Sequence, residues 1–479
     1  MDIPSFRIHA HNLVDWMSDY LEGIGQSRVQ PDVAPGDLRR ALPPKAPDMG
    51  EPFDNIFKDF NDLIIPGMTN WQHPGWFAYF PANNSPPSIL GEMLAATMAA
   101  QCMSWETSPA ATELEEVVMN WLRQMLNLPD TFHGVIQDTA STSTLVALLS
   151  ARERVTNYAF GREGTLGTGG QPLMVYSTAN SHASILKGVK IAGYGMKNLR
   201  RIPVDSARAM RPECLREAIQ RDQGMGYRPA CVIGTIGTTS SGAIDPIYEI
   251  ADICQENKLW LHVDAAWAGS AAICPEYRPL FKGIEKADSF LFNPHKWMLT
   301  NFDCTAYFVR DTEVLQKTLD ISADYLKTRF DEEVTNFRNW QIQLGRRFRA
   351  LKLWFVIRSY GVEGLQSHIR RHVTLVGEFA EWIDDHPDFE KMAPVSLALV
   401  CFRCRPHDKD LNEDELNKFN TQLLDLINRS GEIYMTHTIL EGRYTLRFSS
   451  GQLFTKDTHV HQAWKIIKEC AETLQSNSI

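Results

Sequence analysis

Four short apolar runs constrain this chain most: Leu173–Tyr176, Ala230–Thr235, Leu259–Val263 and Ser289–Phe292. Each is almost continuously apolar instead of alternating, so a strand made from it needs cover on both faces. Stretches with helical spacing separate them, and strands that alternate with helices predict an α/β unit around a mainly parallel sheet. Such sheets bind ligands in the crevice beyond the carboxyl ends of their strands, which makes the residues following each run the ones to inspect.

Two of these exits carry opposite charges. The segment Leu261-His262-Val263-Asp264-Ala265-Ala266-Trp267 brings a lone carboxylate out of an apolar run, and Phe292-Asn293-Pro294-His295-Lys296-Trp297 brings a lysine to the same edge. A buried Asp and Lys suit pyridoxal phosphate: the lysine forms a Schiff base and the carboxylate keeps the pyridine nitrogen protonated. Four further segments fit that reading. Thr139-Ala140-Ser141-Thr142 opens a helix-like run and offers free N–H groups and a positive dipole end to a phosphate. His182 follows the run at Leu173–Tyr176, where an imidazole can lie over an aromatic ring. Thr239, in the turn after Thr235, suits a hydrogen bond to the ring oxygen, and Asn293 and His295 flank the lysine on the phosphate side.

Residues 1–85 carry helical patches broken by prolines at 31, 35, 43, 44, 47 and 52, which reads as an arm that packs on something else. Residues 86–370 form the large α/β domain, with a helix starting at Ser108-Pro109, and 371–479 a smaller α+β domain with a charged helix from Glu413 to Asn428. The net charge of −10 argues against nucleic acid or a membrane surface as partner. No apolar run approaches the roughly 18–20 residues of a membrane span, and the N-terminus lacks a signal peptide's pattern. Nine scattered cysteines fit a reducing cytoplasm, and Cys401 and Cys404, on opposite faces of a strand, make neither a redox pair nor a zinc site. The glycine-rich stretch 161–170 precedes a strand, whereas a dinucleotide fingerprint follows one, so it reads as a connector. The pairs His368/His372 and His459/His461 have metal-binding spacing without accompanying carboxylates or cysteines, and read as surface histidines.

Taken together, His-Val-Asp-Ala-Ala-Trp-Ala-Gly-Ser-Ala at 262–271, Asn-Pro-His-Lys-Trp at 293–297 and Gly-Arg-Arg-Phe-Arg-Ala-Leu-Lys-Leu-Trp at 345–354 resemble the group II pyridoxal-phosphate-dependent decarboxylases, in the aromatic-L-amino-acid decarboxylase branch. The resemblance runs nearly end to end. It implies fold type I, the aspartate aminotransferase-like architecture, and a homodimer with sites shared at the subunit interface. It implies that Lys296 bonds the cofactor, Asp264 pairs with its pyridine nitrogen and His182 stacks on its ring. Thr139, Ala140, Ser141, Asn293 and His295 hold the phosphate, and Ala266 touches the ring's other face. Tyr325, in Ala323-Asp324-Tyr325-Leu326-Lys327, matches the family's proton donor, and the charged segment 328–336 after it reads as a closing lid, two residues shorter than the animal pattern.

By the same resemblance the aromatic segment with Trp71, Phe77, Tyr79, Phe80 and Pro81 lines the side-chain pocket, together with Ala82, Met103 and Gly345. An apolar pocket suits an indole or phenyl ring. Ala82 replaces a threonine of the animal enzymes and Met103 a phenylalanine, while Gly345 leaves room where relatives specific for hydroxyphenyl substrates carry serine. The expected order is tryptophan and phenylalanine, then tyrosine and dopa, giving arylalkylamines and CO2. Arg346 and Arg347 read as structural, and Arg447 is open between substrate and structure. Keeping both Tyr325 and His182 favours amine formation over the oxidative aldehyde synthases of the family. An acidic-amino-acid decarboxylase, an aminotransferase and a non-catalytic protein of the same fold are the other readings.

Overall fold

The apolar runs become neighbours in one sheet. A computed structural model describes residues 1–320 and 329–476. Its larger sheet contains β1 (His133–Gln137), β2 (Leu173–Thr178), β3 (Leu199–Ile202), β4 (Arg228–Thr235), β5 (Trp260–Asp264), β6 (Ser289–Phe292) and β7 (Thr305–Val309). Their order is β1-β7-β6-β5-β4-β2-β3. The pairs β3/β2, β2/β4, β4/β5 and β5/β6 are parallel, and β7 runs antiparallel to both β6 and β1. Every residue of β2, β5, β6 and β7 is buried, as their unbroken apolar character requires.

Alternate residues of each strand feed two separate cores. Val175, Cys231, Ile233, Tyr307 and Val309 pack with the helices Ala140–Val155, Ser184–Ile191 and Thr312–Leu319 on one face. Met174, Tyr176, Val232, Val263, Phe290 and Phe308 pack on the other with Pro109–Met125, Pro212–Gly224, Ile247–Asn257 and the long helix Arg349–Asp384. That long helix breaks at Gly361, whose φ of +64° is open to glycine at no steric cost. It carries the second core onward to an antiparallel sheet of β8 (Phe389–Lys391), β9 (Leu399–Cys404), β10 (Thr436–Leu440) and β11 (Arg443–Ser449), ordered β10-β11-β9-β8. The helices Glu413–Arg429 and Asp457–Ser476 pack with it, the first opened by a reciprocal capping box between Asn412 and Glu415.

The N-terminal helix Ile3–Gly23 buries none of its residues completely. Trp16 makes aromatic contacts with Phe57 and Phe60, yet Ile3, Phe6, Ile8 and Val14 remain exposed. Among the described residues, more than half of the exposed large hydrophobic side chains lie before residue 99. The segment Trp76–Asn83 then threads between the two sheets: Phe77 N–H donates to Tyr434 O and Ser449 N–H to Phe77 O. Among the described residues no helix is long and apolar enough to cross a membrane.

Candidate active site

The C-terminal ends of the central strands lie level. Register pairs Thr235 with Asp264 and Asp264 with Leu291, so the exits of β4, β5 and β6 open onto one edge. Lys296 sits in the single turn Pro294–Trp297 directly after β6. Its N–H donates to Asn293 O (2.9 Å), and Asn293 N–H donates to Ala266 O (2.9 Å), which stitches the lysine turn to the Asp264 turn. Burial pushes the Lys296 ammonium down to about 8, the Asp264 carboxylate opposing the shift and the Arg447 guanidinium adding to it. Its Nζ lies 5.3 Å from the centroid of the Phe80 ring, and Arg447 Cζ lies at the same distance from that ring.

Asp264 is buried, and its Oδ1 accepts from Ala266 N–H at 3.0 Å, a local turn that fixes the carboxylate at the strand end. His182 stands exposed at the mouth, where the charges of Asp264 and Lys296 both reach it. Desolvation lowers its proton affinity against the pull of Asp264. Its Nδ1 accepts from Ser184 N–H (3.2 Å), which assigns the ring hydrogen to Nε2. Thr239 is exposed in the turn after β4, while its neighbour Thr238 is buried and accepts from Ala243 N–H.

The opposite end of the site holds hydrogen-bond donors. Thr139 caps the helix Ala140–Val155, and the first-turn N–H groups of Ala140 and Ser141 have no intrahelical acceptor. Thr305 Oγ1 lies 2.9 Å from Asn293 Oδ1 and 3.1 Å from Asp138 O, joining this helix start to the lysine turn. His295 is buried, and its Nδ1 accepts from Cys304 N–H at 2.9 Å. Burial, with Lys296 beside it, pushes the imidazole down to about 3, so it is neutral and carries its hydrogen on Nε2 as a donor. Helix-start N–H groups together with a neutral histidine donor are the chemistry a phosphate requires. Asp264 and a lysine of lowered proton affinity at the other end match a pyridinium and an aldehyde, so the residues present fit pyridoxal phosphate.

The aromatic segment divides in two. Phe80 and Pro81 are buried near Lys296, and Phe80 stacks on Trp267 at 4.3 Å. Trp71 and Tyr79 are exposed and stack at 5.8 Å beside Trp76. Phe77 departs from the expected pocket: it points into the core against Phe448 at 4.2 Å, and the chain bends at Tyr79, whose φ is +51°, before it reaches Phe80. Ala82 is half-buried, and its carbonyl accepts from Gln72. Met103 and Gly345 belong to a second cluster, where Arg338 N–H donates to Met103 O and Arg346 N–H to Gln101 Oε1. In one chain the bonds that fix these two residues do not reach Lys296 or Phe80. Tyr325 lies outside the described residues.

The three arginines separate clearly. Arg346 is buried, bonds Glu115 at 2.6 Å and also donates to Ile136 O and Cys102 O. Arg347 is exposed and pairs with Glu92. Arg447 is buried; it donates to Ser240 O (3.0 Å) and Thr436 Oγ1 (3.2 Å), while its Nη2 is enclosed without a hydrogen-bond partner. The surface reading of His368 and His372 is overturned: His372 is 1 % exposed and holds Trp297 Nε1 at 3.1 Å. The apolar stripe Leu365, Ile369, His372, Val376, Phe379 carried that signal, since it places His372 on the core face of its helix. Cys401 and Cys404 are both buried and free.

Asn83 is the site residue that local pattern did not reveal. It is buried; its Nδ2 donates to Lys296 O (2.7 Å) and Gly451 O (2.6 Å), and its Oδ1 accepts from Leu453 N–H (3.1 Å). One side chain thus fastens the lysine turn to the C-terminal unit.

A family model described as the pyridoxal-dependent decarboxylase conserved domain matches residues 35–405. Tyrosine decarboxylase 2 of Narcissus pseudonarcissus is 44% identical over 488 aligned positions, covering 100% of this chain and 96% of that protein. Phenylacetaldehyde synthase of Arabidopsis thaliana is 43% identical, covering 99% and 97%. The crystal structure of Oryza sativa TDC with PLP and tryptamine superposes with a TM-score of 0.95 at 38% identity, covering 99% of each chain. The chain therefore belongs to the pyridoxal-dependent decarboxylases, in their aromatic-amino-acid branch, and is a carboxy-lyase whose cofactor is pyridoxal phosphate.

Proposed function

We propose that the protein decarboxylates aromatic L-amino acids to arylalkylamines, taking tryptophan and phenylalanine ahead of tyrosine and dopa. The observation that carries this reading is the half-buried Lys296 beside Phe80, with Asp264 supplying charge from the adjacent strand end. Bound here, pyridoxal phosphate supplies an electron sink for the pair left behind when the carboxylate departs as CO2. Lys296 binds it, and the lowered proton affinity of this amine increases the neutral, nucleophilic fraction near neutrality. Asp264, held by Ala266 N–H, keeps a negative charge where the pyridine nitrogen needs a proton. His182 would pack against the cofactor's ring, and the small side chain of Ala266 would leave room for it. Thr139, Ala140, Ser141, Asn293 and His295 would hold the phosphate, and Thr239 would bond the ring oxygen.

Phe80, Tyr79 and Trp71 receive the substrate's ring, with Pro81 and Ala82 behind them. Arg447 has Nε and Nη1 engaged by Ser240 O and Thr436 Oγ1, so Nη2 alone of its nitrogens lacks a partner. Tyr325 returns the proton to the α-carbon, a role assigned by its match to the family's donor. The protein acts as a homodimer. A second copy covers the apolar surface of residues 1–98 and brings its own Met103 and Gly345 to the pocket.

Incubation with pyridoxal phosphate and a mixed aromatic amino-acid pool, read by mass spectrometry, tests the activity. Tryptamine and phenethylamine are expected. Arylacetaldehydes with peroxide would mark an aldehyde synthase instead, a reading favoured by the relative from Arabidopsis thaliana. Dopa turned over far faster than tryptophan would overturn the order given.

A further inference from the structure

A closed circuit of hydrogen bonds surrounds the lysine turn. Trp297, the residue after Lys296, is completely buried, and its indole Nε1–H donates to His372 Nδ1 at 3.1 Å. The other ring nitrogen, Nε2, meets Gln452 O at 3.1 Å. From the preceding residue the circuit returns: Lys296 O accepts from Asn83 Nδ2, which also donates to Gly451 O, next to Gln452. Two consecutive residues of the lysine turn are therefore bound, by separate routes, to two consecutive residues of the C-terminal unit.

The indole N–H can only donate, so His372 Nδ1 carries a lone pair and Nε2 carries the hydrogen, which a carbonyl oxygen then accepts. Both nitrogens of His372 are committed, and the ring serves as a rigid neutral link. Burial and the neighbouring His368 hold its proton affinity well below the ordinary range, so the link persists through working pH. The indole also continues a stack. Trp297 lies on Trp267 (5.1 Å, 17°), Trp267 lies on Phe80 (4.3 Å, 15°), and Phe80 faces Lys296 Nζ. A rotation of Trp297 would therefore disturb the lysine both through the backbone and through the Phe80 ring.

We propose that His372 is a positioning residue for Lys296, acting through Trp297. This rests on the reading that Lys296 bonds the cofactor. The role differs from core packing, since a leucine at 372 fills the space but leaves the Trp297 indole N–H unpaired and leaves Gln452 O with Thr455 N–H alone as donor.

The test uses the holoenzyme and four variants: His372→Leu, His372→Gln, Trp297→Phe and the His372→Leu/Trp297→Phe double. Borohydride trapping of the wild type at Lys296 first checks the underlying reading; an adduct elsewhere defeats that reading, whatever the variants do. With the adduct at Lys296, His372→Leu and Trp297→Phe are each expected to lower kcat about tenfold to a hundredfold, the range that small misplacements of a reacting group produce, with KM unchanged. Each is expected to shift the pH midpoint of the cofactor's visible band, since burial and the charges of Asp264 and Arg447 all act on Lys296. The double variant should be no worse than either single one, because both remove the same link. Glutamine, which accepts and donates from one amide, should recover most of the loss. Should His372→Leu fail to fold, Trp297→Phe and His372→Gln carry the same test. A lowered melting temperature with unchanged kcat and band midpoint, multiplicative losses in the double variant, or no rescue by glutamine would each overturn the proposal.

Discussion

Replacing Lys296 by methionine in the cofactor-free protein should stabilise it by an amount that depends on pH. Burial pushes this ammonium from its ordinary 10.5 down to about 8. In the unfolded chain the lysine keeps its ordinary affinity, so between those two values the unfolded state binds more protons than the folded one. Stability of the wild type therefore rises with pH across that window. Below pH 8 the cost of burying the charge is complete, and it fades as pH climbs toward 10.5. At roughly 1.4 kcal/mol per pH unit the full gap amounts to about 3–4 kcal/mol. Methionine has nearly the same length and no charge, so the variant lacks this slope. Urea denaturation of both cofactor-free proteins from neutral pH to pH 10.5 measures the difference directly. The variant's advantage should shrink by about 3 kcal/mol over that range. A constant difference would mean that the amine is either fully hydrated or fully paired, and that burial does not tune it.

Asp264→Asn should retain phosphate-end binding but lower kcat by about 10²–10⁴-fold, the scale of a lost positioned acid–base group, in a decarboxylation assay. Tyr325→Phe should exchange amine for aldehyde, ammonia and peroxide, and unchanged amine output would remove the tyrosine from its role. Glu115→Gln breaks the buried pair with Arg346 and also weakens the acceptor for Ile136 N–H. A loss of about 3–5 kcal/mol in chemical denaturation is expected for the uncompensated guanidinium. Size-exclusion chromatography with light scattering should give twice the 54.3 kDa chain mass, and a monomer with full activity would refute the shared site.

The sheet was legible because its strands are buried on both faces, and that requirement writes itself into the sequence as uninterrupted apolar runs such as Ser289–Phe292. Asp264 and Lys296 were legible for the converse reason: a charge at the end of such a run has no structural excuse. What escaped local reading depends on distant segments. Asn83 bonds Gly451 across 368 residues of sequence, and nothing in Ala82-Asn83-Asn84 signals that partner. Phe77 and Phe80 are alike in composition, and the bend at Tyr79 between them sends the first to Phe448 and the second to Lys296. His372 lay within reach of sequence reasoning, since its helical spacing marks the buried face; pairing it with His368 as a metal-type motif obscured that.

Sodium borohydride reduction of the cofactor-loaded protein, followed by proteolysis and mass mapping, addresses the assignment most directly. A phosphopyridoxyl group is expected on the peptide containing Lys296 at one equivalent per chain. No label there, or label on another lysine, would contradict the account at its root.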